Sequence, residues 1–452
     1  MATVWQRVSL VVLVVAVFCA LCHGGLLERF KNKISGQKQA GSGGDVSVPE
    51  GAYGLTAAAG SPSDTQGHVR QTQINSPVII LPGDGGSPLE AMLDKPSVKF
   101  RHCPKKTTGW QHVWAGIEIL VPAIVDCWVD NLRLVYDNVT RRTSNSPGVK
   151  TRVPGFGGTR SIEYLTSKPL PSSRYMADLV ERLVSLGYQR GVSIRGAPYD
   201  FRKAQNEQHE YFVALKDLVE ETYELNHHSS VTFIAHSLGC LYLLYFLQQQ
   251  PQEWKDKYVA SFIGLGGPWG GAVKPLKVVA SGDDLGINIV SHSRMRDVLR
   301  TKPSIAVLFP SDQLWKQDEV LMSTADRTYT LGNLRQFFYD IRYPEGWEYY
   351  QDTRPIANSR QPPRVPMYCI SGTGVDTPAS YQYSNLGVPS GRPTVVMEDG
   401  DGTVNRRSLD ACGWWGTQQN ETVTSMVFPR AGHLKMIKDP VILDYIVSIL
   451  FP

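Results

Sequence analysis

The chain has 452 residues, of which 46 are lysine or arginine and 42 are aspartate or glutamate, so its formal net charge is only +4. Nucleic-acid-binding proteins normally carry a clustered basic excess, and this near-balance argues against that class. Hydrophobic residues make up 42% of the sequence. That fraction is enough to bury an extensive core, which excludes wholesale disorder.

The first 24 residues have the pattern of a secretory signal peptide. Arg7 precedes an apolar run over 8–21, and the small residues Gly24 and Gly25 follow it. The run is shorter than the roughly 20 apolar residues that a membrane-spanning helix needs, so a permanent anchor is the weaker interpretation. No later segment could span a membrane without charges. We therefore expect a lumenal or secreted, water-soluble protein in which residues 25–74 form a flexible polar tail.

The folded region is expected to run from about residue 75 to the C-terminus. The apolar run 77–81, followed by Pro-Gly-Asp, predicts a buried strand and a tight turn. Periodicity predicts helices over 175–186, 211–223, 238–250 and 440–450, and strands over 192–195, 230–235, 262–265, 367–370, 394–397 and 425–428. This alternation indicates an α/β protein with a largely parallel sheet covered on both faces. The stretches 97–170 and 272–365 break the rhythm and are expected to be insertions above the sheet.

The cysteines fit an oxidising compartment. Two of the seven leave with the signal peptide, and the remaining five are Cys103, Cys127, Cys240, Cys369 and Cys412. An odd number leaves at least one thiol unpaired or paired between chains, and sequence alone does not fix the connectivity. Because Cys240 follows a predicted buried strand and turn, we expect it to be the free thiol, with Cys103–Cys127 and Cys369–Cys412 as the simplest pairing. Asn138 and Asn420 begin glycosylation sequons, which are compatible with a lumenal protein.

The segment 231–239 joins a predicted buried strand to a helix and places Ala-His-Ser-Leu-Gly around Ser237. It matches the nucleophile elbow Gly-x-Ser-x-Gly, except that Ala235 replaces the first glycine. Small residues flank the serine because the turn is sharp, and alanine meets that size limit almost as well as glycine. We therefore predict that Ser237 is a nucleophile. An ordinary serine at a strand–helix junction is the less favoured alternative.

The partners of such a nucleophile follow it in the order acid, then histidine. Only His292 and His433 lie beyond Ser237, and only His433 has the expected position between a strand and the final helix. Asp399 and Asp401 compete as the acid, and we favour Asp401 because it lies further past the strand end. The same segment faintly resembles a calcium loop, but valine occupies the sixth position, which requires glycine. We expect neither a metal nor a cofactor.

These residues predict a mechanism of acyl transfer. Neutral His433 takes the proton of Ser237 as the hydroxyl attacks an ester carbonyl. Asp401 fixes the imidazole tautomer and stabilises the imidazolium. The oxyanion needs preorganised N–H donors. We expect one from Leu238, directly after the nucleophile, and the other from the turn at 82–84, with Asp84 favoured.

Nine short segments carry a more specific signal. They are Pro-Gly-Asp at 82–84, Cys-Trp-Val-Asp-Asn at 127–131, Arg-Val-Pro-Gly-Phe-Gly at 152–157, Gly-Ala-Pro-Tyr-Asp-Phe-Arg at 196–202, His-Ser-Leu-Gly-Cys at 236–240, Gln-Glu-Trp-Lys-Asp-Lys-Tyr at 252–258, Pro-Trp-Gly-Gly at 268–271, Gly-Thr-Gly-Val at 372–375 and Asp-Gly-Asp-Gly-Thr-Val at 399–404. Together they resemble the family of lecithin:cholesterol acyltransferase and lysosomal phospholipase A2 (group XV). The segment at 236–240 is more similar to the sterol acyltransferase branch, whereas those at 196–202 and 399–404 are more similar to the lysosomal branch.

This resemblance implies an α/β-hydrolase fold with a cap and a small membrane-binding subdomain closed by a Cys103–Cys127 disulfide. It also implies that Cys240 is unpaired. The catalytic triad that it implies is Ser237, Asp401 and His433. On this basis we expect a membrane-binding insertion at about 97–135 and cap insertions at about 136–170 and 272–365.

Apolar residues inside the proposed disulfide loop favour a lipid-facing segment. Trp110, Val113, Trp114 and Ile117 cluster within two predicted helical turns, with Lys106 nearby. Tryptophan at a water–lipid boundary, with cations alongside, suits an interfacial anchor. Packing beneath the cap is the alternative. We therefore predict binding to a phospholipid membrane or a lipoprotein surface.

Three functions remain open on the sequence alone. The first is a lysosomal or secreted phospholipase A-type hydrolase that passes the acyl group to water or to a lipid alcohol, such as a sterol or a ceramide-like acceptor. The second is a phosphatidylcholine-sterol acyltransferase, which shares the acyl-enzyme step and differs in the acceptor. The third, a catalytically inactive lipid-binding protein, is disfavoured because all three triad candidates are present.

Overall fold

The computed structural model describes residues 76–114, 125–166, 171–283, 292–385, 389 and 391–452. The expected signal peptide at 1–24 and polar tail at 25–74 lie outside these residues. Among the helices that are described, none is long and apolar enough to cross a membrane.

The secondary structure of the described residues alternates between strands and helices. The strands are β1 (Val78–Leu81), β2 (Leu89–Leu93), β3 (Gln111–Trp114), β4 (Leu134–Asp137), β5 (Arg142–Asn145), β6 (Val149–Arg152), β7 (Ile194–Gly196), β8 (Val231–His236), β9 (Val259–Leu265), β10 (Met322–Ser323), β11 (Thr328–Tyr329), β12 (Met367–Thr373), β13 (Thr377–Gln382), β14 (Thr394–Glu398) and β15 (Val423–Pro429). The α-helices are α1 (Val125–Leu132), α2 (Arg160–Glu163), α3 (Ala177–Ser185), α4 (His209–Leu225), α5 (Leu238–Gln248), α6 (Gln252–Tyr258), α7 (Lys274–Ala280), α8 (His292–Leu299), α9 (Pro303–Val307), α10 (Leu334–Asp340), α11 (Pro344–Ala357), α12 (Arg406–Asp410) and α13 (Pro440–Leu450).

Six parallel strands form the central sheet in the order β15-β12-β9-β8-β1-β7. Every residue of β1 and β8 is buried, as expected for parallel strands that are covered on both faces. The sequence-based prediction of an α/β protein with a largely parallel sheet is therefore confirmed. With the serine turn at the end of β8, this is the architecture of an α/β-hydrolase.

Two hydrophobic cores lie on opposite faces of this sheet. Successive side chains of a strand point to opposite faces, so Ile79 joins one core while Ile80 joins the other. Helices α4 and α5 cover the first face, and α3 and α13 cover the second. The predicted amphipathic helices thus occupy the positions that protect the sheet from water.

One predicted strand lies in a different sheet. Residues 394–397 do form a strand, β14, but it pairs with β13 in an antiparallel arrangement within a four-stranded sheet of order β11-β10-β13-β14. Much of β14 is exposed, unlike the fully buried strands at the sheet centre. A further three-stranded sheet, β3-β2-β6, and a β4–β5 hairpin lie largely within the stretch 97–170. Their assignment to a membrane-binding region and a cap remains a prediction.

Two disulfides join cysteines within the described residues, and both are the pairs expected from the sequence. Cys103 is joined to Cys127 with a Cα–Cα distance of 5.4 Å, which attaches the loop before β3 to α1. Cys369 is joined to Cys412 with a Cα–Cα distance of 6.5 Å, which attaches β12 to a 3₁₀ segment, Ala411–Thr417. Cys240 is buried and unpaired.

Both sequons are accessible. Asn138 is exposed in the turn between β4 and β5, and Asn420 is exposed just before β15. An exposed asparagine in a turn is what a glycan requires. Glycosylation at these two positions remains a prediction.

Helix α5 approaches the end of β1 so closely that only glycine fits at position 239. A Cβ atom at Gly239 would lie 2.4 Å from the carbonyl oxygen of Pro82 and 2.9 Å from that of Leu81. Both obstacles are backbone atoms, which cannot rotate away as a side chain can. The contact therefore sets the position of the turn after β1 relative to the start of α5.

We predict that Gly239→Ala destabilises the protein by at least about 1–3 kcal/mol, because the added methyl group overpacks this contact. The measurement is the midpoint of thermal unfolding. Gly413→Ala is the matched control, since its Cβ would have no heavy atom within 4 Å. Equal midpoints for the two variants would contradict the steric argument.

Candidate active site

Ser237 occupies a strained turn at the carboxyl end of β8. Its backbone has φ 53° and ψ −124°, a conformation that costs a non-glycine residue energy and is found mainly at functional sites. The Ser237 N–H donates to the carbonyl oxygen of Leu265 at 2.9 Å, which ties the turn to β9. The side chain is half-buried, so its hydroxyl can reach both the interior and a bound substrate.

His433 lies beside this hydroxyl. It follows β15 in a short loop, and its Nε2 lies 2.9 Å from Ser237 Oγ. The His433 backbone N–H donates to the carbonyl oxygen of Asp401 at 2.8 Å. This geometry suits a general base. His292, the alternative in the sequence, is the first residue of α8 rather than part of a loop.

Asp401 completes a hydrogen-bonded chain with His433. Its Oδ2 lies 2.7 Å from His433 Nδ1, and its Oδ1 accepts from the N–H groups of Val404 and Thr403 at 2.8 and 3.0 Å. Burial opposes its charge, but the His433 ring and the two amides outweigh that effect, so the pKa of Asp401 lies below its ordinary value. An ionised carboxylate at this position holds the Nδ1–H tautomer and leaves Nε2 free to accept a proton.

Asp399, the competing acid, has a different environment. Its carboxylate accepts from the N–H groups of Gly374 at 2.6 Å and Gly400 at 2.8 Å, and from the Thr373 hydroxyl at 2.5 Å. These contacts connect the end of β12 to the loop that carries Asp401. The geometry thus favours Asp401 as the partner of the histidine and gives Asp399 a structural role.

The backbone amides of Asp84 and Leu238, predicted as oxyanion donors, lie on two segments next to Ser237. The Gly86 N–H donates to the Gly83 carbonyl oxygen at 3.0 Å, closing a tight turn. Since the C=O and N–H groups of a trans peptide point in opposite directions, the Asp84 N–H points away from Gly86. Leu238 is the first residue of α5, where N–H groups lack intrahelical acceptors. A Cβ at Gly83 would lie 3.0 Å from Ser237 Cβ, so the turn is directly beside the nucleophile.

Lys302 and Trp114 add an electrostatic feature that the sequence did not indicate. The Trp114 indole N–H donates to the Gly85 carbonyl oxygen at 2.7 Å, and Lys302 Nζ lies 5.1 Å from the centre of the Trp114 ring. Burial raises the pKa of the Asp84 carboxyl, and the charge of Lys302 opposes that rise. The turn after β1, which carries the predicted oxyanion donor Asp84, therefore contacts groups from two sequence insertions, and no local motif reveals these contacts.

The predicted helical anchor is wrong in its secondary structure. Residues 111–114 form strand β3, which pairs with β2 in an antiparallel arrangement. Val113 and Trp114 are only 6% and 5% exposed, because they pack in the main core. Trp110 is half-buried beneath the Arg152 guanidinium, 4.4 Å from the ring centre. Ile117 lies outside the described residues.

Among the described residues, one group of potential metal ligands comes together, namely His102, Cys103 and Cys127. The two sulfur atoms are already bonded to each other in the disulfide. Thiolates are the form of cysteine that binds metals, so this group is not suited to a metal.

Comparisons with known proteins extend the geometric argument. The family model described as lecithin:cholesterol acyltransferase matches residues 110–355 and 348–440, well over half of the chain. The chain belongs to the lecithin:cholesterol acyltransferase family. Ser237 and His433 both lie within the residues that this family shares with the chain.

Curated relatives from two branches of this family are similar over nearly the same length. The human lysosomal phospholipase A and acyltransferase is 43% identical over 374 residues, which cover 83% of this chain and 90% of the relative. The rabbit phosphatidylcholine-sterol acyltransferase is 42% identical over 375 residues, covering 83% of this chain and 84% of the relative. Sequence identity alone therefore does not separate the two branches for this family member.

We predict that Asp401→Asn lowers the turnover of an ester substrate far more than Asp399→Asn does. Loss of tautomer control costs about 10⁴-fold in a serine protease with an equivalent aspartate. By contrast, an amide oxygen at position 399 can still accept from the Gly374 and Gly400 amides. The two variants are compared by kcat after circular dichroism has shown that both are folded. A greater loss for Asp399→Asn would reverse the assignment of the acid.

Proposed function

We propose that this chain is a lumenal or secreted serine acyl hydrolase and O-acyltransferase that acts on phospholipids. The observation that supports it best is the hydrogen-bonded series Ser237, His433 and Asp401 in a member of a lipid acyltransferase family. Its relatives named as lysosomal phospholipase A and acyltransferase support this substrate class. The same names support the lysosome lumen or the extracellular space as its compartment.

The proposed first step transfers an acyl chain to the enzyme. Ser237 Oγ attacks the ester carbonyl carbon while His433 Nε2 accepts the hydroxyl proton. The N–H groups of Asp84 and Leu238 donate to the oxyanion of the tetrahedral intermediate. As the intermediate collapses, His433 returns the proton to the departing lysophospholipid oxygen, and the acyl group remains as an ester on Ser237.

The proposed second step releases the acyl group. Water or the hydroxyl of a lipid alcohol gives its proton to His433 and attacks the carbonyl carbon of the acyl-enzyme. As the second tetrahedral intermediate collapses, the bond to Ser237 Oγ breaks and His433 returns the proton to that oxygen, which yields a free fatty acid or a new ester and restores the enzyme. The triad has the same role for every acceptor. A sterol acceptor is the second candidate, supported by the 42% identity to phosphatidylcholine-sterol acyltransferases. A ceramide-like alcohol is an equally testable acceptor.

We predict that the protein releases labelled acyl groups from phosphatidylcholine vesicles, and that an added lipid alcohol diverts part of the label into a new ester. The assay compares vesicles without an acceptor, with a ceramide-type alcohol and with a sterol, and identifies the labelled products. Ser237→Ala is the control and should abolish all products, because it removes the attacking hydroxyl. Product formation by correctly folded Ser237→Ala would remove Ser237 from the mechanism.

A wild-type protein that is folded but releases no acyl group in any of the three conditions would contradict the proposed function. That outcome would favour the alternative of an inactive lipid-binding protein. A labelled ester formed only with the sterol would favour the sterol acyltransferase candidate.

We propose that Trp110, rather than Trp114, contributes to membrane binding, because it is the more accessible of the two. Trp110→Ser should weaken binding to phosphatidylcholine vesicles several-fold and leave turnover of a soluble short-chain ester unchanged. Trp114→Ser should lower activity on both substrates, since loss of a buried tryptophan costs about 3–5 kcal/mol and removes the hydrogen bond to Gly85.

The matched control is Trp414→Ser. Trp414 is also half-buried beneath an arginine, with Arg360 4.7 Å from the ring centre, but it lies outside the disulfide loop. Equal loss of vesicle binding in Trp110→Ser and Trp414→Ser would contradict a specific role for Trp110.

A further inference from the structure

A buried chain of hydrogen bonds lies beneath the candidate active site. The Gly83 N–H donates to the Tyr175 hydroxyl oxygen at 2.9 Å, and that hydroxyl lies 2.6 Å from His236 Nδ1. On the other side of the His236 ring, Nε2 lies 3.0 Å from the backbone carbonyl oxygen of His433. Tyr175 is 8% exposed and His236 is 1% exposed, so water does not compete for these contacts.

The direction of each hydrogen bond follows from the chemistry of its partners. A backbone carbonyl can only accept, so His236 Nε2 must carry the proton. Nδ1 is then an acceptor, and the Tyr175 hydroxyl donates to it while accepting from Gly83. Burial, followed by the nearby His433 ring, lowers the pKa of His236 to about 3. The His236 ring is therefore neutral at pH values well above 3.

This series of hydrogen bonds connects two segments that are far apart in sequence but adjacent to Ser237. At one end, Gly83 begins the turn that carries the Asp84 N–H, a proposed oxyanion donor. At the other end, His433 is the candidate base. His236 directly precedes the nucleophile. Gly83, Tyr175 and His236 are closely packed, since a Cβ at Gly83 would lie 3.1 Å from the Tyr175 hydroxyl oxygen and 3.2 Å from His236 Nδ1.

We propose that Tyr175 and His236 are positioning residues that fix the oxyanion turn and the base loop relative to each other around Ser237. This inference rests on the proposed function. Tyr175 acts through the Gly83 amide, and His236 acts through the backbone carbonyl and the ring of His433, whose centre lies 4.8 Å from the centre of the His236 ring. Oxyanion donors are effective only when they are held at about 2.7–3.1 Å from the oxygen, and a misplacement of about 1 Å can cost about 10²-fold in rate.

The test is the kinetics of Tyr175→Phe on a soluble short-chain ester. The variant keeps the aromatic ring in the core and removes only the hydroxyl that connects Gly83 to His236. We expect kcat to fall by at least about 10-fold and by no more than the 10²–10³-fold that complete loss of an oxyanion donor costs. KM should stay within about twofold of wild type, because the Tyr175 hydroxyl makes no contact with substrate.

Tyr188→Phe is the matched control. Tyr188 is 2% exposed and packs in the same core cluster as Tyr175, and its hydroxyl donates to the carbonyl oxygen of Ser76 at 3.0 Å. Its removal should lower thermal stability by a similar amount and leave kcat unchanged. A Tyr175→Phe variant with kcat within twofold of wild type overturns the proposal, and so does an equal fall of kcat in Tyr188→Phe.

A double-mutant cycle with His236→Asn separates positioning from independent structural effects. The asparagine can still accept from Tyr175 but is too short to reach the His433 carbonyl. If the two residues act through one series of hydrogen bonds, the double variant Tyr175→Phe with His236→Asn should have a kcat only slightly below that of the less active single variant. Multiplicative losses would overturn the proposal. If Tyr175→Phe does not fold, His236→Asn is tested in its place, and the same fall in kcat with nearly constant KM is expected.

The failure of this inference is distinguishable from the failure of the proposed function. An active wild-type enzyme whose kcat is unaffected in Tyr175→Phe contradicts only the positioning role. A folded wild-type protein without activity on either the ester or phospholipid contradicts both.

Discussion

The backbone strain at Ser237 is the constraint on which the rest of the site depends. A serine at φ 53° is stable only if its surroundings hold it there. The buried strand β8 fixes one side of the turn, and α5 begins immediately on the other. Because Gly239 has no side chain, α5 can approach the carbonyl groups of Leu81 and Pro82. That same contact brings the turn that starts at Gly83, which we propose supplies an oxyanion donor, to the serine.

The loop that carries Asp401, here called the acid loop, keeps a negative charge buried at the site. Asp401 is 1% exposed, and an unpaired carboxylate at that depth would be costly. Two backbone amides and the His433 ring remove that cost, so the carboxylate stays ionised. Asp399 supports the arrangement from outside, because its contacts with Gly374 and Gly400 attach the acid loop to β12. Two neighbouring aspartates therefore have separate roles that follow from burial and hydrogen-bond geometry.

The strands and helices that the sequence predicted correctly are those with strong local signals. Buried β-branched runs marked β1 and β8, helical periodicity marked α4 and α5, and proline at the start of α13 marked its first residue. The small residues around Ser237, and the position of His433 between a strand and the last helix, predicted two side chains that lie 2.9 Å apart in the structure. The pairings Cys103–Cys127 and Cys369–Cys412 agree with the simplest arrangement of the five cysteines.

Features that depend on tertiary contacts were not predictable. The segment 394–397 has the composition of a strand, but only its neighbour β13 decides that it belongs to a second sheet. Trp110 and Trp114 have helical spacing, yet pairing with β2 makes their segment a strand and buries Trp114. The contacts of Lys302 with the Trp114 ring and of Tyr175 with His236 join segments more than 60 positions apart. Such contacts leave no periodic signal in a single sequence.

The most direct test of the central claim, that Ser237, His433 and the two backbone amides form one acyl-transfer site, is a crystal structure of the protein after reaction with an alkyl fluorophosphonate. The tetrahedral phosphorus mimics the intermediate of ester attack. We predict a bond from phosphorus to Ser237 Oγ, with the phosphonyl oxygen about 2.7–3.1 Å from the amide nitrogens of both Asp84 and Leu238. Phosphorus bound to another residue, or a phosphonyl oxygen that contacts neither amide, would contradict the account.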